Sequence, residues 1–156
     1  MISNRTMPTA AVIPELVYDD VGEACDWLCR VFGLTERWRA GNHRAQLAVG
    51  DCAVALMESR VPGAGEPSDQ TEFAPEPDGR PSHGVMVRVP DADGHHARAL
   101  AEGARILQAP QDLPYGERQY SAVDLGGHRW TFSQSIADLA PEEWGGTSGT
   151  ASLRGG

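Results

Sequence analysis

Residues 118–134 read RQYSAVDLGGHRWTFSQ, and within them two strand-like runs flank a glycine turn. Arg118 to Val123 and His128 to Phe132 alternate apolar or β-prone residues with polar ones, the period of a strand covered on one side only. Asp124-Leu125-Gly126-Gly127 between them is turn chemistry, because glycine reaches the backbone angles that a tight reversal needs. The stretch predicts an antiparallel hairpin.

Upstream of this hairpin the pattern predicts a strand at Gly84 to Val89, a helix from Asp91 to Glu102 stopped by Gly103, and a strand at Ala104 to Gln108. The first half of the chain has the same order. Val12 to Tyr18 reads as a strand, with Pro14 near its start. Asp20 is an N-cap acid with Glu23 three residues on, and Val21, Ala24, Cys25, Leu28, Val31 and Phe32 recur at helical spacing until Gly33. Leu34 to Arg39, Arg44 to Val49 and Cys52 to Met57 follow as strands, parted by Gly41-Asn42 and Gly50-Asp51. A shift of 70 lays Val17 on Val87 and Gly33 on Gly103, and a shift of 76 lays Cys52, Val54 and Leu56 on His128, Trp130 and Phe132. The difference is an insertion around Asp112 to Glu117. These matches predict an α+β fold of two tandem βαβββ modules. The first spans residues 11–57 after a loose leader at 1–10, and the second spans 83–134. Residues 58–82, rich in Pro, Gly and acid, read as a connector; 135–156 read as a short helix, with Pro141 at its start and Trp144 packing back, followed by a tail.

Composition removes several functions. The net charge of −9 argues against a nucleic-acid partner, which would require a concentrated basic surface. All thirteen basic residues are Arg, so neither a lysine Schiff base nor a lysine general base is available. Cys25, Cys29 and Cys52 form an odd set with no CxxC pair, which suits reduced thiols filling space in a cytoplasmic protein. No run of about 18 apolar residues is present to span a membrane. Cys25 and Cys29 lie one turn apart on the first helix, where a metal would need further ligands.

The paired βαβββ order, Phe32-Gly33-Leu34 at the helix end, and Tyr115-Gly116-Glu117-Arg118 followed by Asp124-Leu125-Gly126-Gly127-His128-Arg129-Trp130-Thr131-Phe132 resemble the vicinal-oxygen-chelate superfamily. That group includes glyoxalase I, extradiol dioxygenases, fosfomycin-resistance enzymes and bleomycin-resistance proteins. The resemblance implies a curved mixed sheet around a cleft, and in metal-dependent members it implies ligands at the slots filled here by Ile13, Ala55, Gly84 and Thr131. Three of those side chains have no donor atom, so no metal or other cofactor is expected. His83 and Glu15 lie one and two residues from slots, and a register slip would bring either inward. His43, His95 and His96 are expected in solvent, and His128 packed and hydrogen-bonded beside Trp130.

If the slots, Thr131 among them, face the cleft, alternation sends Glu15, Val17, Met57, Met86, Arg88, Arg129 and Ser133 there as well. On the partner strands the same reasoning gives Arg44, Gln46 and Ala48, and then Arg118, Tyr120 and Ala122. Trp38 adds a flat surface, and Tyr115, in the insertion, is expected to act as a lid. Guanidinium donors, thioethers and aromatic faces suit an organic ligand held by stacking and forked hydrogen bonds. The expected function is metal-independent sequestration of an antibiotic or other secondary metabolite. The resemblance further implies a homodimer whose chains share the clefts. The alternative is an enzyme of the same superfamily, either metal-dependent or a metal-free biosynthetic catalyst using Glu15, His83 or Tyr120 for proton transfer.

Overall fold

The computed structural model describes residues 2–59 and 83–151; nearly all of the expected connector and the end of the tail lie outside them. Strand β1 (Glu15–Tyr18) leads into helix α1 (Val21–Phe32) and then strands β2 (Thr35–Ala40), β3 (Arg44–Val49) and β4 (Cys52–Glu58). The second module repeats the order with β5 (Gly84–Arg88), α2 (Ala92–Ala101), β6 (Arg105–Leu113), β7 (Glu117–Val123) and β8 (Arg129–Ser135). A 3-10 turn at Pro141–Trp144 follows. Each module forms a four-stranded mixed sheet, β1-β4-β3-β2 and β5-β8-β7-β6, in which the first strand runs parallel to the last and the other pairs are antiparallel.

Helix α1 forms where the capping and the apolar stripe agree. The Asp20 carboxylate accepts the Glu23 amide at 2.9 Å, a cap worth about 1 kcal/mol. Gly33 ends the helix with φ 73°, a left-handed angle that a residue with a Cβ adopts only under strain. Val21, Ala24, Cys25, Leu28, Val31 and Phe32 face inward against Leu16 and Tyr18 of β1 and Leu47, Val54 and Leu56 of β3 and β4. Helix α2 buries only Ala92 and Ala99, and the second module's share of the common core comes instead from Val85, Val87, Tyr120, Ala122, Trp130 and Phe132.

Register sharpens the repeat. Leu16 pairs with Leu56 and Val87 with Phe132, so Leu16, and not Val17, is the counterpart of Val87. The shift of 70 holds at the glycine stops and slips by one residue in the first strand, where a single step exchanges the two faces. The insertion is also more regular than expected: β6 continues to Leu113, which pairs with Glu117, and the extra residues lengthen the β6–β7 hairpin.

The modules are joined by side chains. Phe32, at the end of α1, lies 4.8 Å from the Phe132 ring and 5.5 Å from Trp130. Arg98 of α2 donates to the carbonyls of Arg30 and Cys29 at 3.1 and 3.3 Å, satisfying acceptors that α1 leaves free at its end. Tyr18 donates its hydroxyl to Asp124 at 2.6 Å. Asp124 also accepts from Trp130 Nε1 and from the amides of Gly126 and His128, each at 2.9 Å. Burial and the adjoining Asp124 carboxylate raise the Tyr18 phenol, which stays protonated as the donor. His128 is packed and hydrogen-bonded as expected, with Nε2 at 2.8 Å from the Val17 carbonyl and its ring edge-on to Tyr18 at 4.9 Å.

His95 departs from expectation. It sits in the seam between modules, with Nε2 2.9 Å from the Phe32 carbonyl and Nδ1 2.5 Å from the Tyr120 hydroxyl. The carbonyl can only accept, so Nε2 carries the proton and Nδ1 accepts from Tyr120. Burial, with the Arg98 charge adding to it against the Phe32 carbonyl, holds this imidazole below the usual histidine range. The folded state therefore binds fewer protons here than the unfolded chain does. Stability is expected to fall as pH drops below about 6.5, the unfolded histidine value. Urea melts at pH 7.5 and 5.5 check this, and His95→Gln is expected to flatten the part of the difference that His95 contributes.

Candidate functional site

Each sheet has one face against the helices and one without them. On the helix-free face of the second module, β8 contributes Arg129, Thr131 and Ser133, whose partners on β5 are Gly84, Met86 and Arg88 and on β7 are Val123, Ser121 and Gln119. Most of the polar groups there form one strip. Glu117 accepts from Ser133 and Ser135, each at 2.7 Å. Gln119 donates to Ser133 at 3.0 Å, Ser121 and Thr131 lie 3.3 Å apart, and Arg129 reaches the Ser121 hydroxyl at 3.5 Å. Met86, 65% exposed, stands over the middle of the strip beside Thr131. The side chains of Arg88 and Arg129 flank it at opposite ends. At about 3.3 Å per residue their backbone positions lie roughly 13 Å apart.

Three residues expected in this cleft lie elsewhere. Tyr120 is 0% exposed and faces the helices, stacked 5.1 Å from Phe132 and bonded to His95. Arg118, also on the helix side, is bonded to Asp112 at 2.8 Å and Asp93 at 3.0 Å. Ala122, sharing their parity, is fully buried. The expectation takes the parity of β7 from Ser121 and Val123, the latter an apolar residue beside the turn, paired with Arg129. The decisive signal was the turn: residues opposite one another in an antiparallel pair share a face, so Tyr120 follows Phe132 and Ala122 follows Trp130. The same rule would have found Gln119, Ser121 and Glu117.

The first module's helix-free face carries Glu15 and Val17 from β1, Ala53, Ala55 and Met57 from β4, and Arg44, Gln46 and Ala48 from β3. Glu15 is exposed, Arg44 half-buried, and Gln46 and Met57 buried. The pairing of β2 with β3 shifts between Glu36 and Trp38. This irregularity places Trp38 opposite Gln46 and lets Arg37, absent from the sequence expectation, donate to the Gln46 side-chain oxygen. Tyr115 is at the β6–β7 turn, 5.8 Å edge-on from Trp144 and 3.4 Å from the Gln119 side chain, so the insertion reaches the polar strip through Gln119.

Two βαβββ modules, each with a helix-free face, define the architecture of the glyoxalase and bleomycin-resistance proteins. Residues 8–132 match the Glyoxalase/Bleomycin resistance protein/Dioxygenase superfamily profile, and the chain belongs to that superfamily. Among solved structures, TioX from Micromonospora sp. ML1 is 34% identical, with 81% of this chain and 99% of that one aligned at a TM-score of 0.64. The fosfomycin resistance protein FosX from Mesorhizobium loti is 17% identical over 83% of this chain and 94% of its own, at a TM-score of 0.57. An uncharacterized Mycobacterium bovis protein is 27% identical over 138 residues, covering 85% of this chain and 88% of the relative.

The family includes metal enzymes, and the register tests whether a metal fits here. Ala55 lies beside Glu15, and Gly84 beside Arg129. Thr131 contributes a hydroxyl already engaged with Ser121. Neither alanine nor glycine side chains offer an electron pair, and an arginine stands next to the Gly84 position, so this donor set does not suit a divalent cation. Among the described residues, donor atoms of Cys25, Asp26 and Glu36 come within 4.8 Å of one another on the helix side. The guanidinium of Arg39 already bridges Asp26 and Glu36 there at 2.6 and 2.8 Å. Burial and the hydrogen bond to Glu36 push the Cys25 thiol up to about 12. Under native conditions at pH 8, iodoacetamide is therefore expected to label exposed Cys52 at least tenfold faster than Cys25, as peptide mass spectrometry would measure.

Proposed function

We propose that the protein binds and sequesters an organic small molecule, such as an antibiotic or other secondary metabolite, without a metal, in clefts completed by pairing of two chains. The reading rests on one observation: the second module's helix-free face offers hydroxyls, an amide, a carboxylate and two guanidiniums around an exposed thioether, where three of the four family ligand slots have no donor atom. Such a surface favours a flat apolar body over Met86 with acceptor groups toward Arg88 and Arg129. Membership in a superfamily that includes bleomycin resistance proteins supports the same class. Glu15, Trp38, Arg44, Gln46, Met57, Tyr115 and Thr131 complete the proposed set of ligand contacts.

Calorimetric titration with planar, acidic aromatic metabolites tests the reading. Binding is expected to be stoichiometric, indifferent to EDTA, and about tenfold weaker in Arg129→Ala, since a hydrogen bond to a charged group is worth about 1.5–3 kcal/mol. Loss of binding in EDTA, or turnover of the ligand, would overturn it. Sedimentation analysis reads the pairing of chains directly.

A further inference from the structure

The donors at the β2 edge of the first helix-free face are taken up by the chain's own leader. Trp38 Nε1 donates to the Thr6 carbonyl at 3.0 Å, and Arg37 Nη2 donates to the carbonyls of Arg5 and Met7 at 3.3 and 3.4 Å. Three consecutive carbonyls therefore converge on two side chains. They converge because the leader is turned there. The Met7 amide donates to the Asn4 carbonyl at 3.0 Å, while the Asn4 side chain accepts from the Thr6 amide at 3.0 Å and from its hydroxyl at 2.8 Å. The guanidinium of Arg37 is held from the other side by Gln46, which pairs with Ala55 at the centre of the face.

Nothing in the core requires this arrangement. No leader residue belongs to the hydrophobic core, Met7 remains half exposed, and Arg5 and Thr6 are exposed. The contacts are those of a ligand with a receptor: acceptors presented by a turn, donors fixed on a strand.

We propose that Arg37 and Trp38, with Gln46 holding the Arg37 guanidinium, form a binding row for the carbonyls of a compact, turned amide chain, and that residues 5–7 occupy it in place of that ligand. The inference rests on the helix-free faces being ligand surfaces, and it names amide-bearing molecules as the class taken by the first one. The bulge in β2 is what makes the row, because it brings Arg37 to Gln46 beside Trp38. The leader then competes with any ligand for the same donors, and a ligand must displace it.

Trypsin cleavage after Arg5 reads the leader's docking with no ligand present. In the full chain, Arg37→Ala and Trp38→Phe are each expected to speed that cleavage about tenfold, and unchanged rates in both would overturn the docking. The ligand class is read with the peptide acetyl-Asn-Ala-Thr-Met-amide, titrated while tryptophan fluorescence is followed. Asn4→Ala, which loosens the leader's turn without touching the row, is expected to bind the peptide saturably and about tenfold more tightly than the unaltered chain. Adding Arg37→Ala to Asn4→Ala, which keeps Trp38 as the reporter, is expected to abolish the response. No saturable response in Asn4→Ala, or one that survives Arg37→Ala, would overturn the amide assignment. Failure of aromatic ligands to depend on Arg129 would instead count against the functional reading and leave these outcomes standing.

Discussion

Replacing Asp124 with alanine is expected to destabilise the protein by about 4 kcal/mol, the loss typical when one member of a buried charged network is removed. The side chain is buried and accepts four hydrogen bonds, from Tyr18, Trp130, Gly126 and His128. Alanine would leave buried Tyr18 and Trp130 donors without an acceptor and free the turn that the two amides hold. For a chain of this size the melting temperature should drop by about 10 °C, and urea titration would give the free energy directly. Tyr18→Phe, which removes only one donor, is expected to cost about 1–2 kcal/mol. A loss no larger than that in Asp124→Ala would mean that the carboxylate contributes nothing beyond its contact with Tyr18.

Phe32→Ala is expected to have a comparable effect by another route, again about 4 kcal/mol, through the cavity it would open. The ring fills the seam where Trp27, Trp130, Phe132 and His95 meet, with centroid distances from 4.8 to 6.4 Å. Phe32→Leu keeps most of the volume and is expected to lose less than half as much. Tryptophan fluorescence, to which Trp27 and Trp130 contribute from beside Phe32, supplies an independent reading: a red shift in the folded alanine variant would show that the seam has loosened.

The parts of this molecule that were legible in the sequence are those where local chemistry and burial agree. Asp20, the apolar stripe of α1 and Gly33 gave the first helix to the residue, and the 118–134 hairpin was found with its turn in place. Reading failed where both faces of a strand carry mixed residues. On β7, Tyr120 and Ser121 each look able to face water or core, and only the partner across the ladder decides between them. The irregularity in β2 has no marker among Thr35 to Ala40, so Arg37 could not be placed from alternation. His95 looks like a solvated helix residue in the sequence because its surroundings come from Phe32, 63 positions earlier in the chain, and from Tyr120 on a distant strand. Polarity alone does not reveal a histidine recruited to join two modules.

The long reach of the Tyr18 to Asp124 contact has a consequence for the order in which the chain acquires its structure. The two residues are 106 positions apart, and the Val17 carbonyl waits for His128 across 111. During synthesis the first module can form its helix and sheet while the ribosome is still translating the second. Its β1 strand then presents an unmatched phenol and an unmatched carbonyl until the last hairpin emerges. Closing so distant a pair is entropically slow, so the final acquisition of structure in the first half is timed by the completion of the second.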